Sequence, residues 1–547
     1  MALRFQLFAP ALFASLFIGC GGVSNCKEDG KACADVVNKA AALCARSFQS
    51  QQGDVKRKHC EHAIKTVKDQ RVAAAVPGLL EILKAPETSI PYDAHRMEAV
   101  KALREIGDAK AVDAIMEAFS LDAGTSSDPL DKNSNYTNET VAETLGALGD
   151  QKACGKLKEA VSRARHDATV LKSIRSLGQL KCKDAVNDII DVALKHPNKF
   201  MRKNAVMALG DIGDLAATDA LIQMMFVEFQ GVSFYREASF SLFELGPGTA
   251  QALLDTMAGK NDAVNKYFES KGGLKNTAVK AKCGFVLGDL RDPRAVDPLL
   301  EAFEAAQKEG DGVLLIYSAA PLGALGDMKA APALKKQMLT LDGSLRDPIM
   351  RAVNQLGDRS SVPDMIKAMA AQDFLDRCVK EGHADKETCE GDLPSRVNAQ
   401  KAAIDHASNL AGPEHLEAYK AAVEAEKLEE VKKYMAERLT RVEAAGACKA
   451  DPACWAGKLK DANPLVREKA AWELGRLKDK GTLPALTEAL ADKDTFVRSA
   501  VIAAYWAFGD KSALAKVTQT LKDEEGQATF IRVNEDLRRL EVYLARL

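Results

Sequence analysis

The residues best suited to chemistry lie near the N-terminus, where the motif HCEH spans positions 59–62. The imidazoles of His59 and His62, together with the thiol of Cys44, are ligand types that zinc prefers. However, no C-x-x-C motif accompanies them, and an exported chain uses such cysteines for disulfides. We therefore predict neither a metal site nor any other cofactor.

The first 22 residues, MALRFQLFAPALFASLFIGCGG, have the layout of a secretory signal, in which Arg4 precedes an apolar segment at 5–18. This segment is too short to span a bilayer comfortably as a helix. The sequence LFIGC resembles a bacterial lipobox, which implies cleavage before Cys20 and a lipid on its thiol. Gly21 is not the Asp that retains lipoproteins at the inner membrane, which implies the outer membrane. An ordinary signal peptide cut near the same place is the alternative.

Cysteine usage fits an exported chain, in which the cysteines that follow Cys20 are expected to form disulfides. Four of them lie within 26–60, where three pairings are possible and the sequence chooses none: Cys26, Cys33, Cys44 and Cys60. Two closely spaced pairs look like local links, Cys378 with Cys389 and Cys448 with Cys454. Cys283 lies in an apolar helical stretch and is the candidate for a buried, unpaired thiol.

A basic residue recurs ten positions before the last apolar residue of a repeated phrase such as LGDLRD at 287–292. The arginines at this position are Arg96, Arg202, Arg346, Arg467 and Arg498, and Lys280 takes the same place. One interpretation is a basic groove for acidic ligands. The favoured interpretation is structural pairing between repeats, because the carboxylates repeat as well.

Aromatic residues crowd one stretch of a chain that is poor in them: Phe226, Phe229, Phe234, Tyr235, Phe240 and Phe243. Most are expected to fill the core of one repeat. An apolar docking patch that includes Phe234 and Tyr235 is the alternative.

Signatures of catalysis and of nucleic-acid binding are missing from the sequence. We find no G-x-S-x-G, H-E-x-x-H, Walker or dinucleotide-binding motif. Basic and acidic residues nearly cancel, 75 against 77, and no long Lys/Arg block occurs. The sequence therefore predicts a protein that is not an enzyme and has no nucleic-acid partner.

The phrase itself indicates how these residues are positioned, because close copies return every 31 to 45 residues along much of this 547-residue chain. Strong copies stand at 103–108, 145–150, 209–214, 287–292, 322–327 and 474–479. Weaker copies begin at positions 177, 242, 353 and 505. A repeat of this period predicts an array of identical supersecondary units rather than one core.

Each part of the phrase has a physical reason. An apolar stripe such as Val466, Ala470 and Leu474 marks a first helix. Glycine ends that helix in a left-handed turn, Asp caps the next helix, and Pro293 suits a first helical position. Such hairpins cannot bury their apolar faces alone, so the sequence predicts an all-α fold, an α-solenoid of stacked helical hairpins.

The repeats resemble HEAT-like repeats of the type found in phycobilin lyases, over roughly 69–370 and 461–525. The expected organisation is a signal peptide at 1–19, a lipid-anchored cysteine-rich helical cap at 20–68 and a solenoid at 69–370. An irregular helical insertion follows at 371–460, and further repeats with a capping helix occupy 461–547.

These features predict a non-enzymatic scaffold, tethered to the bacterial outer membrane only through its N-terminal lipid. Its partner is expected to be a protein or peptide bound on the curved solenoid surface. Two alternatives stay open. The resemblance allows a lyase or chaperone-like factor that handles a chromophore, and the 371–460 region could instead bind a small ligand.

Overall fold

The computed structural model describes residues 25–47, 55–89, 95–270, 272–273, 276–341, 343–380, 384–524 and 531–547. Within them the chain forms thirty α-helices and one short antiparallel hairpin, β1 (Glu228–Phe229) with β2 (Val232–Ser233). The chain divides into two compact units. The N-terminal unit extends to Ala220 and includes Val227–Ser241, and the C-terminal unit comprises Leu221–Phe226 and Leu242–Leu547. The predicted all-α solenoid is confirmed.

The N-terminal unit is a row of helical hairpins. Its helices are α1 (Gly30–Ser47), α2 (Val55–Asp69), α3 (Val76–Lys84), α4 (His95–Ile106), α5 (Val112–Glu117), α6 (Pro129–Leu148), α7 (Cys154–Arg163), α8 (Asp167–Gln179), α9 (Val186–Lys195) and α10 (Lys199–Ile212). The division between the units runs through α11 (Thr218–Met224) and α12 (Tyr235–Leu245). The first helices α4, α6, α8 and α10 pack side by side in chain order, and each covers the apolar stripe of its neighbour.

The C-terminal unit continues the same design. Its helices are α13 (Ala250–Met257), α14 (Asp262–Ser270), α15 (Asn276–Leu290), α16 (Val296–Glu309), α17 (Gly312–Leu325), α18 (Ala331–Thr340), α19 (Gly343–Leu356), α20 (Val362–Met369) and α21 (Ala371–Lys380). They are followed by α22 (Lys386–Leu410), α23 (Leu416–Ala425), α24 (Glu429–Cys448), α25 (Pro452–Lys458), α26 (Pro464–Leu477), α27 (Leu483–Ala489), α28 (Thr495–Phe508), α29 (Leu514–Glu524) and α30 (Ile531–Arg546). Although 371–460 lacks the Leu-Gly phrase, α22 and α24 pack in the row of first helices, between α19 and α26.

The two glycines of the phrase do different work. The second takes the left-handed conformation that ends the first helix, as at Gly149, where φ is +76°. The first lets consecutive first helices approach closely: a Cβ on Gly475 would lie 2.9 Å from the Cα of Ala504 on the next first helix. The sequence alone predicts only the helix-ending glycine, because close approach between helices is a property of the packed row.

The aspartate of the phrase caps the next helical segment as predicted. The Asp108 and Asp327 carboxylates each accept a hydrogen bond from the backbone N–H two residues later, at 2.9 Å. Pro293 occupies the first turn of the 3₁₀ segment that opens the second hairpin helix. These contacts satisfy backbone donors that a helix start leaves unpaired.

Buried charges connect distant parts of the C-terminal unit. The Lys469 ammonium is fully buried and donates to the Glu473 carboxylate at 2.8 Å and to the Ala411 carbonyl at 2.8 Å. Arg359 and Arg476 also donate to Glu473, at 2.6 and 2.7 Å. Because Arg359 precedes Glu473 by 114 residues, this unit is not held by neighbour contacts alone.

The C-terminal helix α30 makes a second set of long-range contacts within this unit. Arg539 donates to Asp289, and Arg546 donates to the Phe243 carbonyl. The Tyr543 ring stacks on Trp506 with centroids 4.3 Å apart. The helix expected to cap the last repeat therefore also contacts helices near the start of the unit.

Candidate binding cleft

The five arginines of the repeat form hydrogen bonds with the backbone. Each donates to a carbonyl at or beyond the end of the preceding helix: Arg96 to Leu83, Arg202 to His196, Arg346 to Met338, Arg467 to Asp461 and Ala462, and Arg498 to Asp492. Helix ends leave such carbonyls without partners, and a guanidinium can supply several donors. Arg467 is also bidentate with Asp492, at 2.7 and 2.9 Å.

These contacts correct the interpretation of the arginines as a basic groove for ligands. Arg346, Arg467 and Arg498 are 7%, 6% and 8% exposed, so their charges point into the repeat contacts. The geometry favours the structural role that the sequence analysis preferred.

Lys280 differs from the arginines at the equivalent position. It is half-buried and makes no hydrogen bond or ion pair with any described residue. At this point of the chain an additional helix, α14, stands between the end of α13 and α15.

The space next to Lys280 is an open cleft of ≈ 710 Å³ in the C-terminal unit. Its walls come from the end of α13, from α14, from the start of α15 and from α16. Phe268 and Val279 form part of its apolar floor, and both are largely buried. Phe268 is fixed by an edge-on contact with Phe226, with ring centroids 4.9 Å apart.

Charged side chains stand around this floor. Lys260 is exposed and, like Lys280, has no partner among the described residues. Arg294 is already held by Asp292, at 2.9 Å and 2.7 Å, and these bonds lower the pKa of the Asp292 carboxyl. Glu301 is the unpartnered acid at the rim. The cleft thus offers cations, carboxylates, amides and apolar surface to a ligand.

The aromatic cluster is mainly core. Phe234 is fully buried, which corrects its inclusion in a docking patch, and Tyr235 is partly buried. The Arg202 guanidinium lies 4.1 Å from the Phe229 ring centroid, a cation–π contact that adds to the carbonyl bond of this arginine.

Five disulfides link the described cysteines: Cys26–Cys33, Cys44–Cys60, Cys154–Cys182, Cys378–Cys389 and Cys448–Cys454. The two local pairs are those the sequence analysis expected, and Cys283 is free and buried. The Cys154–Cys182 pair was missed, although its signal existed: Cys182 stands where the phrase normally has its capping Asp.

Residues of the HCEH motif form structural contacts within the N-terminal unit. Cys60 and Cys44 are bonded to each other, so neither thiolate is available to a metal ion. In the described part of the chain, the group that comes closest to a metal site is His62 with Cys26 and Cys33, whose sulfurs also form a disulfide. His62 instead contacts the Lys27 carbonyl at 2.5 Å.

Cys20, the predicted lipidation site, lies outside the described residues. Among those residues, no helix has the length and apolarity needed to cross a bilayer.

Two family models match segments of both units. The HEAT repeats model matches residues 156–227 and 456–529, and the PBS lyase HEAT-like repeat model matches 96–120 and 279–305. The chain therefore contains HEAT repeats in both units. The resemblance inferred from the Leu-Gly phrase is confirmed, including its phycobilin-lyase type. The second matched segment of that type contains Lys280, so the cleft is built on a HEAT-like repeat.

Several known structures are similar to the chain at low identity and with TM-scores below 0.5, whereas no curated protein matches the sequence. Importin beta is 10% identical with a TM-score of 0.43, over 95% of this chain and 79% of that chain. The CpcE–CpcF complex of phycocyanin lyase from Nostoc is 17% identical with a TM-score of 0.24, over 58% and 94%. Human deoxyhypusine hydroxylase is 17% identical with a TM-score of 0.22, over 53% and 98%. These likenesses concern the helical-repeat fold alone.

Proposed function

We propose that this HEAT-repeat protein is a non-enzymatic scaffold of the bacterial cell envelope that holds a segment of a partner protein in the cleft beside α14. The observation that carries the proposal is Lys280. At the position where the arginines bind the repeat's own backbone, this cation is left without a partner and faces an open cleft. An unpaired, partly buried cation lowers its free energy when a ligand supplies the missing acceptor.

The tether is proposed from the N-terminal sequence, in which Cys20 follows the apolar segment. Two signals are usually needed for stable anchoring, and the multiple acyl chains of a lipoprotein cysteine would provide them. The scaffold would then be held at the outer membrane while its repeats stay in water.

Replacing Cys20 by serine is expected to move the protein from the membrane fraction to the soluble fraction, because the serine hydroxyl cannot take the thioether-linked lipid. Metabolic labelling with a radioactive fatty acid and cell fractionation would measure this. Replacing Cys283 by serine is the control and should leave both labelling and membrane fraction unchanged. Full lipid labelling of the Cys20→Ser chain would contradict the tether.

Site-specific photo-crosslinking tests the binding role directly. A photoreactive phenylalanine analogue at Asn276, which lines the cleft, is expected to give one discrete adduct in intact cells. The same analogue at Lys308 is the control, because this exposed residue lies on α16 outside the cleft lining. Identical adducts from both positions, or none from Asn276, would refute the proposed scaffold function at this site.

A further inference from the structure

We infer that Arg359, supported by Arg476 and Lys469, binds a small oxyanion, a phosphate or a carboxylate, at the edge of the buried charge cluster around Glu473. All four residues belong to the C-terminal unit. The oxyanion site does not depend on the cleft beside α14, so it stands or falls independently of the proposed scaffold function.

The charges of this cluster do not balance, because three cations share one carboxylate. Lys469, Arg359 and Arg476 each donate to it, at 2.8, 2.6 and 2.7 Å. No other carboxylate among the described residues forms an ion pair with any of them. The cluster therefore carries uncompensated positive charge, and an anion is the partner that would balance it.

Burial makes this imbalance costly. Lys469 and Glu473 are buried, so water screens the repulsion between the cations poorly. Burial, with the nearby Arg476 and Arg359, lowers the pKa of Lys469 from 10.5 to about 7, against the opposing effect of Glu473. The cluster keeps a positive surplus whether Lys469 is charged or neutral, because two arginines remain against one carboxylate.

Arg359 is the residue through which an anion can reach the cluster. Its side chain is 37% exposed, more than that of Arg476 or Lys469. Its Nη2 group donates to Glu473, whereas its Nε is buried and has no acceptor among the described residues. A buried donor without an acceptor is rare in folded proteins and calls for a water or an ion that completes it.

A guanidinium suits an oxyanion, because its planar N–H groups match two oxygens of a carboxylate or a phosphate. Arg476 is less free to bind one directly, since it already donates to the Asn354 side-chain oxygen at 3.0 Å and to the Asn409 carbonyl at 3.3 Å. Arg359 would therefore hold the ligand, whereas Arg476 and Lys469 add attraction through their charge.

Equilibrium dialysis of the mature full-length chain in detergent against radioactive phosphate at pH 7 tests this site. We expect saturable binding of one phosphate per chain, weakening as sodium chloride is added. Arg359→Gln should weaken binding by at least about tenfold, because the charge and the paired donors are both lost. Arg359→Lys keeps the charge but not the planar donors and should weaken it by at least about threefold.

The matched control is Lys460→Gln, which removes an exposed cation of the same unit from its pair with Glu488. It should leave affinity within about twofold. Parallel dialysis against radioactive acetate distinguishes the two sources of an oxyanion. Tighter binding of acetate assigns the site to carboxylates, and tighter binding of phosphate assigns it to phosphates.

The oxyanion site would be refuted if neither ion bound saturably to the natural chain, or if Arg359→Gln bound both with unchanged affinity. Far-ultraviolet circular dichroism checks that this variant is folded. Should it be unfolded, the Arg359→Lys chain decides, and an affinity equal to that of the natural chain would refute the site.

Discussion

Replacing Glu473 by glutamine is expected to lower the free energy of unfolding of the C-terminal unit by about 3–5 kcal/mol. The Glu473 carboxylate is the shared acceptor of Lys469, Arg359 and Arg476, and it is 2% exposed. The neutral amide keeps the shape of the side chain but leaves three cations around it without their common counter-ion. Removing one member of a buried ion pair costs far more than removing an exposed one.

Intrinsic fluorescence during urea unfolding reports this change selectively, because Trp455, Trp472 and Trp506 all lie in the C-terminal unit. Glu488→Gln is the control, since Glu488 forms an exposed pair with Lys460 and should change stability by less than about 0.5 kcal/mol. Equal effects of the two substitutions would show that the buried cluster does not hold the unit together.

The buried cluster around Glu473 also makes the stability of the C-terminal unit depend on pH. The neighbouring cations lower the pKa of Glu473 from its ordinary value of 4.5 to about 2, against the opposing effect of burial. Its contribution is therefore complete above pH 4.5 and is lost as the pH falls from 4.5 toward 2. The Glu473→Gln chain should lose less stability than the natural chain in this window.

Replacing Gly475 by valine is expected to destabilise the C-terminal unit by about 3 kcal/mol. A Cβ there would lie 2.9 Å from the Ala504 Cα and 3.1 Å from its Cβ, so α26 and α28 must move apart. Backbone atoms cannot rotate away as a long side chain can, and the separation would also weaken apolar contacts along both helices. The urea midpoint of tryptophan fluorescence measures the loss.

The matched control for this steric effect is Gly391→Ala in α22, where nothing lies within 4 Å of an added Cβ. Alanine there should raise the free energy of unfolding by about 1 kcal/mol, because it favours the helix more than glycine does. The two substitutions should therefore have opposite signs. A stabilising effect at Gly475 would mean that the first helices are not in close contact.

Local features of the fold could be predicted because their causes are local. Asp327 caps a segment two residues away, and Cys448 and Cys454 are six residues apart. The disulfide between Cys154 and Cys182 was harder to predict from sequence, since it links two successive repeats across 28 residues. The stretch 371–460 lacks the phrase, which predicts an irregular insertion, yet α22 packs in the row of first helices between α19 and α24.

The cleft could be predicted only in part. The sequence showed the basic residue at position 280, but not that it lines an open cleft without a partner among the described residues. The arginine contacts and the free state of Lys280 depend on where the preceding helix ends in space. The burial of Phe234 likewise depends on how the helices pack in space.

The amino-acid sequence by itself determined the repeat and its helical hairpins, since both follow from spacing, caps and apolar periodicity over a few turns. Tertiary structure alone decided which charged side chains pair with other groups of the protein and which have no partner among the described residues. It also brought Arg359 to Glu473 and Arg539 to Asp289, pairs 114 and 250 residues apart. Such pairs arise from the accumulated geometry of many stacked helices, which no short segment encodes.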